Sequence, residues 1–251
     1  HTRWATNGEH SGVNAHPHIS VDRVALVHNG IIENHVALRQ ELLAQGYEFA
    51  SATDTEVVVH MLHRHLAAGS SLLDAMQAVV QRLDGAYALA AVDTDHPDQV
   101  VAARKGSPLV VGVGIGENFL ASDQLALRQV TDRFIYLEEG DVVSITPRSL
   151  QVYDISGQRV ERSTTRIDEA VEVVDLGGFD HYMLKEIYEQ PRALAATFAR
   201  AVDREVHDKC FGEAAGGVFD RVKSVQIVAC GTSYHAGMVA RYWLEEIAGI
   251  P

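Results

Sequence analysis

The chain has 251 residues, a net charge of -13, 47% hydrophobic residues and 22% charged residues. That composition excludes a disordered chain, a collagen-like fibre and a coiled coil. No apolar run approaches the roughly 20 residues needed to span a bilayer, and the acidic balance argues against a nucleic-acid partner. The two cysteines, Cys210 and Cys230, exclude a disulfide framework and point to a reducing compartment, the cytoplasm. Nothing at His1-Thr2-Arg3-Trp4 has the pattern of an export signal. The chain opens without Met inside a motif-like string and stops at Gly249-Ile250-Pro251, so it reads as a piece of a longer protein.

Residues 21–27 (VDRVALV) read as a strand entering a tight turn at Asn29-Gly30. Residues 31–46 place Val36, Leu38, Leu42 and Leu43 at helical spacing and end at Gly46. Thr53 and Glu56 have the spacing of a capping box, which predicts a helix through Val57, Val58, Val59, Met61 and Leu62. Residues 71–84 read as a further helix closed by Gly85. From Ala86 the pattern changes to short runs, AYALAAV, QVVAAR, PLVVGVG, NFLAS, FIYLE, DVVSIT and LQVYDI, separated by turn residues. These predict mostly antiparallel strands and an α+β fold. Residues 158–180 are polar and end in Gly177-Gly178, the best linker candidate. A helix is expected from about His181 to Val202, kinked or broken at Pro191. SVQIVACGTS (224–233) reads as a buried strand followed by a helix, the first βα unit of a separate α/β domain.

Several residues invite a chemical reading beside a structural one. Asn29-Gly30 is a common turn pair, but its side-chain NH2 and backbone N–H also suit an oxyanion hole. Arg3 is either an exposed loop residue or a guanidinium gripping a substrate carboxylate, with Trp4 closing over the ligand. Asp54 either stabilises a helix N-terminus or pairs with a substrate ammonium. Together Arg3 and Asp54 would hold the two charged ends of an α-amino acid. Thr232 and Ser233 are either N-cap residues or anion ligands at a helix N-terminus. His60 and His63 share a helix face, yet no HExxH or Cys/His constellation accompanies them, so they read as surface or packing residues. Gly112, Gly114 and Gly116 read as loop glycines, and Cys230 as a small buried hydrophobe.

The strings HTRWATNG, NAHPH, VHNGIIENH, TDTEV, DGAYALAA, GSPLVVGVGIGENFLASD, EEGDV, HYMLKEIYEQP and CGTSYHAG together resemble the isomerizing glutamine–fructose-6-phosphate aminotransferases, the glucosamine-6-phosphate synthase family, from end to end. The earlier strings are shared loosely with other class II glutamine amidotransferases, whereas HYMLKEIYEQP and CGTSYHAG are far more specific and favour this family over amidophosphoribosyltransferase or asparagine synthetase. The resemblance implies that residues 1–170 are most of a glutaminase domain, an Ntn-hydrolase-type αββα sandwich. Residues 171–180 would be a linker, and residues 181–251 would begin a doubly wound sugar isomerase (SIS) domain. It assigns Arg3 to the glutamine carboxylate, Trp4, Thr6 and Asn7 to the loop closing over glutamine, and Asn29 and Gly30 to the oxyanion hole. It assigns Asp54 to the α-ammonium, and Thr232 and Ser233 to the sugar phosphate. Two departures stand out. The family usually has His at the position of Asn7. Its nucleophile is an N-terminal Cys whose own α-amine is the base, and this chain begins at His1.

The resemblance thus implies part of an enzyme that makes glucosamine 6-phosphate and glutamate from fructose 6-phosphate and glutamine, with no cofactor, no membrane partner and a homo-oligomeric parent. The 251 residues alone are expected to be inactive. The alternative is a non-catalytic glutamine- or sugar-phosphate-binding module.

Overall fold

The computed structural model describes residue 9 and residues 11–167, 176–200 and 217–251. The chain divides into two compact units, His1–Glu172 and Val173–Pro251.

The first unit is layered. One sheet has seven strands in the order β1-β2-β3-β4-β8-β9-β10, all antiparallel. These are β1 (His18–Ser20), β2 (Val24–Ile32), β3 (Gly85–Asp93), β4 (His96–Lys105), β8 (Val142–Ile145), β9 (Leu150–Tyr153) and β10 (Arg159–Val160). The second sheet runs β11-β7-β5-β6, also antiparallel, from β5 (Val110–Val113), β6 (Asn118–Ala121), β7 (Arg133–Tyr136) and β11 (Thr164–Arg166).

Alternation along the strands builds two cores. Val24, Leu26 and Ile32 of β2 and Tyr87, Leu89 and Ala91 of β3 point one way, against helices α1 (His35–Ala44), α2 (Thr55–Ala67) and α3 (Leu72–Val80). The alternate residues, Ala88, Ala102, Val143, Ile145 and Val152, point the other way and meet Leu109, Val111 and Ile135 of the second sheet. The period of two is what lets one strand serve both layers. Among the described residues, Leu127 and the turn before it cover Val110 and Phe134 on the outer face of the second sheet, and no α-helix does.

Helix α2 is buried on every side from Thr55 to Leu62, as expected of a helix with helices beside it and a sheet beneath. Its start differs from the capping-box reading. Asp54, not Thr53, is the N-cap and makes no side-chain cap bond. The Glu56 carboxylate reaches past the cap to the preceding loop. A local cap does form on α3, where the Ser71 hydroxyl accepts from the Asp74 backbone N–H at 3.1 Å. Helix α1 begins at His35 rather than at residue 31, because β2 runs through Ile32. Helix α3 ends at Val80, before residue 84. Gly112 lies inside β5 rather than in a loop.

The polar stretch from residue 158 contains β10 and β11. Arg162 between them holds the fully buried Asp141 through two bonds of 2.9 and 2.8 Å, which fastens this segment to the sheet. Residues 168–175 lie outside the described residues.

In the second unit, α4 (Tyr182–Arg200) passes through Pro191 without breaking, and residues beyond Arg200 to 216 are outside the described set. Helix α5 spans Gly231–Trp243. Residues 222–230 form no strand, contrary to the βα reading. A strand exists only when its backbone groups pair in a ladder, and among the described residues the segment's one extended-region contact, from Val225 N–H to the Pro251 carbonyl at 2.9 Å, builds none. Cys230 is exposed at the N-cap of α5, not a buried hydrophobe. No described helix is long and apolar enough to cross a membrane.

Candidate active site

Asn29 and Gly30 lie inside β2, not in a turn. The ladder with β3 continues through Asn29↔Ala88, Gly30↔Tyr87 and on to Ile32↔Gly85. Turn propensity yields here to nine consecutive paired positions. The glycine is nonetheless required. Its φ is +137°, and a Cβ there would stand 2.1 Å from the Ala86 carbonyl oxygen. Backbone approaches that close admit only glycine. Alternation sends His28 toward the helices, where it is buried, and leaves Asn29 exposed on the opposite face.

Asp54 is buried beside the same strand. Its Oδ2 accepts from the Ile32 backbone N–H at 2.8 Å, two residues beyond Gly30. One residue on, the Thr55 hydroxyl is 3.0 Å from His28 Nδ1. The structure therefore brings Asn29, Gly30 and Asp54 onto one strand and the loop bonded to it. Burial lowers the His28 pKa, with Asp54 opposing and His18 adding to the shift. His28 is thus held neutral in the fold, and among the described residues its Nε2 has no hydrogen-bond partner.

The loop that delivers Asp54 is held by a chain of buried polar groups that sequence patterns do not single out. Ser51 Oγ donates to Glu56 Oε2 at 2.6 Å. A hydroxyl has one hydrogen, so at the 2.9 Å contact between Ser51 Oγ and Thr53 Oγ1 it is Thr53 that donates. Thr53 Oγ1 must then accept at 3.1 Å from His18 Nε2. The chain has one direction: His18 to Thr53 to Ser51 to Glu56. The Ala50 and Ser51 backbone N–H groups also donate to Glu56, at 2.8 and 2.7 Å.

Burial by itself would raise the Glu56 pKa. The His60 imidazole, the Ser51 hydroxyl and the two amides outweigh it and lower the pKa to about 2. His60 is set in turn by the Glu48 carbonyl, which accepts at 3.1 Å from Nε2–H, and by the Ser20 hydroxyl at 2.8 Å from Nδ1. His60 is therefore a buried part of this network rather than a surface residue. Asn14 joins a further segment, with its Oδ1 accepting from Ala52 N–H at 3.0 Å and its Nδ2 donating to the Glu9 carbonyl at 2.9 Å. The available sequence signal was a run of short polar residues from Ser51 to Glu56, interrupted by Ala52, that leads into an apolar helix.

Arg3, Trp4, Thr6 and Asn7 lie outside the described residues, as does Cys210. Thr232 and Ser233 are exposed in the first turn of α5. They belong to the second unit. Among the described residues no group of three or more His, Cys, Asp or Glu side chains is arranged to hold a metal ion.

Two antiparallel sheets packed face to face, helices on one of them, and a strand bearing Asn-Gly beside a buried Asp define a class. Residues 1–129 match the glutamine amidotransferase domain, and the chain belongs to that family. Its fold is of the Ntn-hydrolase type. The solved structure of glutamine phosphoribosylpyrophosphate amidotransferase from B. subtilis, complexed with ADP and GMP, is similar. The likeness has a TM-score of 0.52 and 26% identity, covering 63% of this chain and 35% of that one. More particular relatives match the whole chain. Proteins named glutamine–fructose-6-phosphate aminotransferase [isomerizing] from Pseudomonas putida and Pseudomonas aeruginosa are each 56% identical to it. The one from Idiomarina loihiensis is 54% identical. The chain spans 41% of the length of each of these relatives.

Proposed function

We propose that the chain is the glutamine-handling part, with the beginning of the sugar-handling part, of an enzyme that converts fructose 6-phosphate and glutamine to glucosamine 6-phosphate and glutamate. The observation that carries this reading is the placement of Asp54 against the strand that bears Asn29 and Gly30, in a member of the glutamine amidotransferase family. The relatives' names supply the sugar substrate, and their identity extends over residues 130–251 as well.

The chemistry follows from charge. As a nucleophile adds to the glutamine side-chain amide, its carbonyl oxygen becomes an oxyanion. The Asn29 NH2 and the Gly30 N–H donate to it, and β2 holds both in place before the charge develops. Asp54 pairs with the α-ammonium and Arg3 with the α-carboxylate, while Trp4 and Thr6 belong to the loop that closes over the ligand. Thr232 and Ser233, at the N-terminus of α5, hold the sugar phosphate. The family's nucleophile is an N-terminal Cys that uses its own α-amine as base. Neither Cys210 nor Cys230 carries a free α-amine, so the polypeptide His1–Pro251 taken alone releases no ammonia. Residues 1–170 form the glutaminase domain and residues 181–251 open the SIS domain, joined by 171–180. The protein works in the cytoplasm as a homo-oligomer, without a metal or nucleotide cofactor.

The test uses the protein expressed from its complete reading frame. Ammonia release from glutamine and glucosamine 6-phosphate formation from fructose 6-phosphate are measured for wild type and Asn29→Ala. The variant is expected to lose roughly a hundredfold or more in kcat, with KM for glutamine little changed. Glutamine binding without ammonia release by the wild type would favour the binding-module reading. An unchanged kcat in the variant would remove Asn29 from the oxyanion hole.

A further inference from the structure

We propose that Glu56 is a positioning residue for Asp54. It anchors the loop from Ala50 to Asp54 so that the Asp54 carboxylate meets the α-ammonium of glutamine, and it sets glutamine affinity without touching glutamine. The inference rests on the role given to Asp54 above.

The argument is one of reach and direction. Asp54 precedes α2 with no cap bond of its own to fix it. Among the described residues its carboxylate accepts from the Ile32 N–H. The backbone leading to it is short and has no regular structure. Left to itself, such a loop samples several conformations. Glu56, 5% exposed, removes that freedom by accepting from Ala50 N–H, Ser51 N–H and Ser51 Oγ at once. Bonds to a carboxylate are the strong ones, and three on one group leave the loop a single arrangement.

The hydroxyl chain extends the hold. Because Glu56 is the terminal acceptor, Ser51 must donate to it, Thr53 to Ser51 and His18 to Thr53. Thr53 is the residue next to Asp54. The carboxylate thus orients the neighbour of Asp54 and ties it to β1. A glutamine side chain at position 56 has one acceptor oxygen and one donor NH2. It cannot satisfy three donors, and its NH2 would face a backbone N–H. The neighbouring groups support the assignment. His60 lies 3.7 Å from Glu56 and is held by Ser20 and Glu48, so Glu56 has a fixed place from which to act.

The experiment compares Glu56→Gln, Ser51→Ala, Asp54→Asn and the Asp54→Asn/Glu56→Gln double variant in the protein from its complete reading frame. Steady-state glutamine hydrolysis gives KM and kcat. Inhibition by 4-carbamoylbutanoate, which is glutamine without its α-ammonium, gives a second affinity that does not involve Asp54. Glu56→Gln is expected to raise the glutamine KM roughly tenfold with kcat within about twofold. It should leave the inhibition constant of 4-carbamoylbutanoate unchanged. Ser51→Ala should shift KM in the same direction by a smaller factor. The double variant should bind glutamine no worse than Asp54→Asn alone, since residues acting through one group are not additive.

An unchanged glutamine KM in Glu56→Gln, equal losses for glutamine and 4-carbamoylbutanoate, or additive losses in the double variant would each overturn the proposal. If Glu56→Gln does not fold, Ser51→Ala and its 4-carbamoylbutanoate constant decide the matter by the same criteria. If Asp54→Asn itself leaves the glutamine KM unchanged, the glutamine-site reading of Asp54 falls, and this inference falls with it. If Asp54→Asn weakens glutamine and Glu56→Gln does not, only this inference falls.

Discussion

The two ends of the contact between α2 and the sheet are built on opposite principles. At the C-terminal end of their shared core, Val57, Val58, Met61 and Leu62 meet Leu26, Leu89 and Ala91, all essentially without solvent exposure. At the N-terminal end, Asp54, Thr55 and Glu56, joined by His60 from the next turn, meet His18, Ser20 and His28, all buried. The apolar end is stabilised by area. Each large side chain removed from water contributes about 1.5–3 kcal/mol, and neighbours exchange with modest penalties. The polar end gains little from burial itself, because every donor and acceptor taken from water must be matched. What it gains is a defined arrangement, with each hydroxyl in the chain from His18 to Glu56 committed to one direction. One helix therefore carries a tolerant part and an intolerant part, and the intolerant part is bonded to His28 and Ile32 of the strand that bears Asn29 and Gly30.

The sharpest way to break this comparison is at the strand both halves rest on. Gly30→Ala must move β2 away from the Ala86 carbonyl, which displaces His28 and the Ile32 N–H together. We expect a loss of roughly 4 kcal/mol or more in unfolding free energy, together with loss of glutamine hydrolysis. Denaturant unfolding with circular dichroism would measure it, and a stable variant with a normal KM would show that the strand can yield.

A cut confined to the apolar half should behave differently. Leu62→Ala is expected to cost about 2–5 kcal/mol, while the glutamine KM of the folded fraction stays at the wild-type value. A raised KM in this variant would mean that the two halves are coupled.

The smallest effect sharpens the comparison through pH. The Glu56 pKa is lowered from 4.5 to about 2 in the folded state. Its contribution to stability is therefore complete above about pH 4.5 and is lost as pH falls toward 2. His28 has a lowered pKa for a base. Protonation favours the unfolded chain, so the stability gained by keeping it neutral is present above pH 6.5 and declines below it. The difference in denaturation midpoint between wild type and Glu56→Gln should be constant from about pH 7 to about 4.5 and should shrink below that. A difference that grows on acidification would contradict this sign.

Much of the first unit was legible in the sequence. The runs from AYALAAV to LQVYDI are short, β-branched and bounded by turn residues, and they became β3 to β9 with nearly the expected limits. The helices were legible from their period, and Gly46 closes the turn after α1 with a φ of +88°. The places where local signals misled were those where distant partners outweighed them. Asn29-Gly30 has turn chemistry, yet β3 pairs with it along its whole length. Thr53 and Glu56 have capping spacing, yet Ser51, His18 and the Ala50 amide take their side chains first. Residues 224–230 have the composition of a buried strand, yet composition supplies no neighbour to pair with.

By itself, then, the sequence determined which segments carry a helical or a strand period, where glycine interrupts them, and which short strings hold the Asn29-Gly30 pair and Asp54. Those properties are written in nearest-neighbour chemistry, so a linear reading recovers them. The tertiary structure decided the partners: that Asp54 leans on Ile32, that Glu56 clamps Ser51 five positions back, and that His18, His28 and His60 converge on one buried cluster. A hydrogen bond or a buried charge is settled by whichever group stands within about 3 Å of it. Residues that are 22 to 40 positions apart in the chain come that close only once the sheet has formed.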